Sequence, residues 1–186
     1  MFKIFTIFSA LAFTFPALAV STLFDAIQPA YIHSYVAANA INWKVGDTAS
    51  YNVDMGFIKG SMITRVDSND GVEIWLSQDM DLGFAGKQNT QTLLDAETGE
   101  VKKLLVNGQE QEIPQKEFEL IEIVDDTITV PAGTFKCMHV RFTDKATNDE
   151  INMWQSQDVA ISGMVKQVVP SQFGKVTIEL TSFTKQ

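Results

Sequence analysis

Residues 50–56 read Ser50-Tyr51-Asn52-Val53-Asp54-Met55-Gly56, and their alternation decides the fold class. Tyr51, Val53 and Met55 fall on one side of an extended chain and Ser50, Asn52 and Asp54 on the other, the pattern of a strand with one dry face and one wet face. Gly56 ends this strand, and Gly60 to Val66 begins the next. Ser68-Asn69-Asp70-Gly71 is a tight-turn sequence, because Asp-Gly supplies the positive φ angles that hairpins need. Beyond it, Val72 to Asp81 puts Val72, Ile74 and Leu76 on one side and Glu73, Trp75 and Ser77 on the other.

The same reading continues to the end of the chain. Thr90 to Asp95 and Glu100 to Asn107 flank the turn Ala96-Glu97-Thr98-Gly99, and Asn107-Gly108 marks another. Residues 109–120, QEQEIPQKEFEL, are polar and irregular and read as a loop with one helical turn, with Asp125-Asp126 as a turn before the strand Thr127 to Val130. Pro131-Ala132-Gly133 leads into Thr134 to Thr143, Asn148-Asp149 into Glu150 to Ser156, and Gln172-Phe173-Gly174 joins Met164–Pro170 to Lys175–Thr184. Nine or ten strands with frequent turns, no repeat and no long linker predict one mainly β domain, a curved antiparallel sheet or half-barrel, over 43–186.

Working back from Tyr51, residues 21–38 carry the one helical pattern. Phe24, Ile27, Tyr31 and Tyr35 recur at spacings of three or four after a capping Ser21 or Thr22, and Pro29 predicts a kink. This N-terminal helical segment, 20–42, needs a surface on which to bury its stripe, and the sheet is the expected one. Before it stand Lys3, the apolar run Ile4 to Phe15 and Ala17-Leu18-Ala19, the three parts of a secretory signal peptide, so residues 1–19 are expected to be removed. The run is broken by Pro16 and is shorter than a membrane-crossing helix requires, and no later segment is apolar enough to be a transmembrane segment. The expected location is therefore periplasmic or secreted.

The formal net charge is −9, and loss of Lys3 makes the remainder more acidic still. Nucleic acid and anionic membrane surfaces reward clustered Lys and Arg, so neither is expected as a main partner. No G-x-S-x-G elbow, H-E-x-x-H pair or glycine-rich phosphate loop is present, so no enzyme activity and no cofactor are expected. A zinc site would have to assemble His33, Cys137 and His139 from distant segments, and none is expected. Asp79 and Asp81 share a strand face and read as solvated acids. Asp67 to Gly71 lacks the spacing and distal Glu of a calcium loop. Cys137, the single cysteine, reads first as a small buried group; His139 two residues on keeps an activated thiol, and with it a hydrolase, as the lesser alternative.

Val130-Pro131-Ala132-Gly133-Thr134-Phe135-Lys136-Cys137 resembles the VPAGTF-x-C hairpin of a broad class of secreted bacterial β-domains. In that class the hairpin precedes a strand bearing Trp or Tyr and a G-x-V-K element, places taken here by Trp154 and Gly163-Met164-Val165-Lys166. Trp43-Lys44-Val45-Gly46-Asp47 fits the same pattern, and the resemblance spans residues 43–184. Such domains are similar, distantly, to the LolA and LolB lipoprotein carriers. That likeness implies a curved antiparallel sheet around a helix, enclosing an apolar cavity; none of the carriers' ligand contacts aligns with this chain.

The candidate ligand contacts are Trp75 and Trp154, rings set among polar neighbours, together with Met153. Ordinary packing is the default reading of the two rings, ahead of ligand contact. Met55, Met62, Met80, Met138, Met153 and Met164 suit either a core or a cavity that adapts to a flexible ligand. The expected function is a non-enzymatic carrier or binding protein for an apolar ligand such as a lipid or acyl chain. The alternative is an envelope protein-interaction module without a small ligand, using exposed strand edges or the 109–120 loop.

Overall fold

The computed structural model describes residues 41–114, 116–171 and 174–186. Residues 1–40, on which the signal-peptide expectation and most of the helical-segment expectation fall, lie outside them, as do residues 115 and 172–173. The described chain is β throughout, apart from a single 3-10 turn at Gly83–Ala85. Its strands are β1 (Thr48–Asp54), β2 (Lys59–Asn69), β3 (Glu73–Asp81), β4 (Lys87–Asp95), β5 (Val101–Val106) and β6 (Gln109–Gln111). They continue with β7 (Phe118–Val130), β8 (Gly133–Asp144), β9 (Glu150–Gln155), β10 (Met164–Ser171) and β11 (Gly174–Thr184).

All eleven form one open antiparallel sheet in the order β6-β5-β4-β3-β2-β1-β11-β10-β9-β8-β7. Two meanders are thus joined where the first strand pairs with the last, Val53 opposite Ile178 and Tyr51 opposite Leu180. The turns follow the expected chemistry. Asp70 Oδ1 accepts the backbone N–H groups of Val72 and Glu73, and Asn107 and Gly108 both take positive φ, as a two-residue hairpin requires.

Two expectations need correction. Asp125-Asp126 is not a turn but lies inside the thirteen-residue β7, and the 109–120 stretch is not one loop, since it holds β6 and the start of β7. A bulge at Ile121, between the pairs Leu120–Phe142 and Glu122–Arg141, breaks the alternation. Both faces of β7 from Glu119 to Asp125 are exposed, so no burial imposes period two there.

One face of the sheet carries the core. Cross-strand partners share a face, and the row Met153, Gln167, Ile178 and Val53 runs over four strands, while Tyr51, Met62 and Met80 carry it from β1 over two more. These residues are buried in one cluster with Phe142, Val140 and Leu180. A second cluster, Trp43, Val66, Ile74, Leu76, Leu94 and Ala96, continues the same face on the β2–β4 wing.

Two irregular elements fold onto this face. β9 ends at Gln155 opposite Met138, so beyond that point β7 and β8 form a two-stranded ribbon with no third strand among the described residues. In a flat sheet β8 and β11 would lie roughly 14 Å apart. Instead the ribbon bends back: Ala132 N donates to Leu180 O at 3.0 Å, and the Phe135 and Phe183 rings stand 6.3 Å apart. Burial along β8 accordingly changes from odd to even positions between Cys137 and Val140.

The second element is the β9–β10 loop. Val159 is buried in the main cluster, Ala160 beside it is buried, and Ile161 packs on the second, so the loop bridges both wings. Ile161 holds φ 59°, a left-handed conformation costly for a β-branched side chain. The loop closes on itself through Ser156 N to Gly163 O and Gly163 N to Ala160 O.

Electrostatics at the turns give one expected outcome. The carboxyl of Asp95 is held far below its ordinary value by the backbone N–H of Thr98 and by Lys102, that of Asp81 is lowered by Lys87, and that of Asp70 by the backbone N–H groups of Glu73 and Val72. A carboxyl with a depressed folded-state pKa stabilises the fold above its unfolded value and loses that contribution as pH falls through the folded value. Stability should therefore hold from neutrality to about pH 5 and decline below about pH 4. Urea unfolding midpoints along an acid series check this; a midpoint unchanged at acid pH would remove the role given to these turns.

Candidate functional site

Met153 and Trp154 are adjacent in β9 and therefore point to opposite faces. Met153 is buried in the core face between Val140 and Gln167. Trp154 lies on the outer face, with His139 and Lys166 as its cross-strand neighbours. Trp75 sits on β3, five strand positions from β9 in the sheet order. The three residues are not brought together: Met153 is buried on the core face, and the two rings stand apart on the outer face.

Trp154 is held by its own surroundings. Its ring stacks on His139 at 4.1 Å between centroids and 8° between planes, and His139 Nε2 is 2.9 Å from Asn152 Oδ1. Trp154 Nε1 donates to Asp126 Oδ2 at 2.8 Å, which, with the backbone N–H of Thr127, lowers the Asp126 carboxyl pKa. Lys166 Nζ lies 5.9 Å from the ring centroid and is paired with Glu179 at 2.7 Å. A ring on a polar face is thus accounted for by stacking, one N–H donor and a neighbouring cation.

Where the β7–β8 ribbon leaves β9, an open cleft of about 660 Å³ forms, with Asp125, Asp126, Lys136, Met138, Gln155 and Asp158 on its wall. Cys137 also lines it. The thiol is buried, with Sγ 3.7 Å from Phe135 O. Burial, then the charge of Asp126, pushes its pKa up to about 11, the opposite of what a nucleophilic thiol needs. With so small a thiolate fraction, the thiol should be alkylated near neutral pH roughly tenfold more slowly in the folded chain than in urea. Equal labelling rates in the two states would contradict that burial. Among the described residues no group of three or more His, Cys, Asp and Glu side chains could hold a metal ion.

The core face has two features that composition did not reveal. First, its apolar surface does not stop at the buried cluster. Leu120 is opposite Phe142 and Ile123 opposite Val140 on that face, with Met138 beside them opposite Gln155; yet Ile123 is 50 % and Met138 46 % exposed. Second, polar side chains are buried in it. Thr64, Gln78 and Thr90 form one cross-strand row. Gln167, 3 % exposed, has a buried Oε1 without a hydrogen-bond partner among the described residues, an acceptor whose isolation is costly. The missed rim has no sequence signal, because its exposure depends on β7 being the outermost strand.

The fold defines the class: an open antiparallel sheet of eleven strands with one apolar face. No family model and no curated protein matches the chain. A solved structure of a hypothetical protein from Chlamydia trachomatis superposes with a TM-score of 0.53 at 9 % identity, over 78 % of this chain and 89 % of that one, which shows a shared fold. A Bacteroides fragilis protein with a YmcC-like fold gives a TM-score of 0.47 at 12 % identity, over 79 % and 100 % of the two chains. MucB gives 0.45 at 6 % identity over 91 % of this chain, which spans 59 % of MucB.

Proposed function

We propose that the chain is a non-catalytic carrier or binding protein of the periplasm or secreted space, distantly LolA-like, holding an apolar ligand such as a lipid or acyl chain. The ligand is taken up on the core face of the sheet. The observation that carries this reading is the unsealed apolar face: one surface runs from buried Met62, Met80 and Met153 out to exposed Leu120, Ile123 and Met138. A purely structural core would be expected to end behind polar residues, whereas a carrier needs a greasy path to its rim.

Each methylene moved from water onto such a surface contributes about 0.8 kcal/mol, so an acyl chain supplies enough energy for tight binding without any charged anchor. Unbranched methionines let the surface fit chains of different shape. Among the described residues no helix is long and apolar enough to cross a membrane.

The delipidated protein should take up a fluorescent fatty acid. Met138→Lys, at a half-exposed position, should weaken uptake about tenfold while leaving the fold intact. No uptake by the parent protein would remove the proposal.

A further inference from the structure

The two ends of the sheet differ sharply. β6 is an edge of three polar residues, Gln109–Gln111. β7 is an edge of thirteen, with Leu120, Ile121, Ile123 and Val124 all exposed, and among the described residues no strand lies beyond it. Long apolar edges are normally shortened, covered or marked with lysine, because their free backbone groups recruit other chains. β7 carries no lysine, arginine or proline; its charges are Glu119, Glu122, Asp125 and Asp126.

Those charges select the occupant. A second copy paired antiparallel on β7 would set four carboxylates against four more, an arrangement that cross-strand like charges disfavour. Glu122 is already neutralised by Arg141, a local example of the complement the edge accepts. Anionic lipid is repelled by the same carboxylates. From Glu122 to Val130 the register with β8 is unbroken, which gives an incoming strand a regular template.

We propose that the free edge of β7 docks an extended segment of another protein in which lysine or arginine alternates with apolar residues. The segment adds as a twelfth strand. Its backbone pairs with β7 in one of two registers: its apolar side chains cover Ile123 while its cations meet Glu119 on the outer face, or they cover Val124 while its cations meet Asp125 on the core face. This goes beyond the carrier reading and does not depend on it.

The test is amide hydrogen exchange of the full chain with a short peptide of alternating Lys and Val, with affinity followed by fluorescence anisotropy. Protection should appear across residues 119–127, and affinity should fall about tenfold for Glu119→Lys combined with Asp125→Lys. It should also fall in about 0.5 M salt, where screening shortens the reach of charge. Ile123→Thr with Val124→Thr, which keeps strand propensity, should weaken binding as well and serves if the charge-reversed chain misfolds. Four results would overturn the proposal: no binding, protection away from β7, equal affinity for a Glu-Val peptide, or β7 protected instead by self-association or by phosphatidylglycerol vesicles. Fatty-acid uptake by the same samples reports separately on the carrier reading.

Discussion

Replacing Phe142 with Ala is expected to cost about 4 kcal/mol of folding stability and to lower the melting temperature by roughly 10 °C. Phe142 is among the largest fully buried side chains, and its ring meets Phe118 edge to face at 5.2 Å between centroids. It stands where three strands share the core face, opposite Leu120 on β7 and Ile151 on β9. Truncation removes the transfer energy of the ring and leaves a cavity that a cross-strand lattice cannot easily close. Because Phe142 also anchors Phe118 beneath the β7 edge, the variant should loosen β7 first. Thermal denaturation followed by near-ultraviolet circular dichroism measures the effect; a loss under about 1 kcal/mol would mean that the face is not tightly packed there.

Gly163→Ala should be almost as damaging, at about 3 kcal/mol. Gly163 has φ +72°, and a Cβ there would lie 2.6 Å from Ser156 O, a backbone atom fixed by the loop's own hydrogen bonds. The loop must therefore open, and with it go Val159, Ala160 and the contact of Ile161 with the second cluster. Gly56 separates the two causes. It has φ +81° but open space around it, so Gly56→Ala should cost only the conformational share, about 1 kcal/mol. Equal effects in the two variants would show that the loop adapts to the added methyl and is not a fixed cover of the core face.

Much of the sheet was legible because burial on one side imposes alternation. Tyr51 and Val53 each face a core partner on β11, so their neighbours Asn52 and Asp54 are free to be polar. The turns were legible because Asp70-Gly71 and Asn107-Gly108 meet backbone requirements that few other residues meet. β7 was misread for the converse reason: with both faces exposed and a bulge at Ile121, nothing forces period two. The opposite orientations of Met153 and Trp154 were implicit in their adjacency. What the sequence could not show is that stacking, Asp126 and Lys166 would account for Trp154. Nor could local pattern reveal that the VPAGTF hairpin bends over the core, because that depends on β9 stopping at Gln155.

Masses recorded under native conditions, for protein isolated from the cells that make it, bear most directly on whether the open greasy face is a cargo site. The expected spectrum contains the chain with one apolar molecule attached, removable by organic extraction and replaceable by a fatty acid. A bare chain that also refuses fatty acid after extraction would contradict the account.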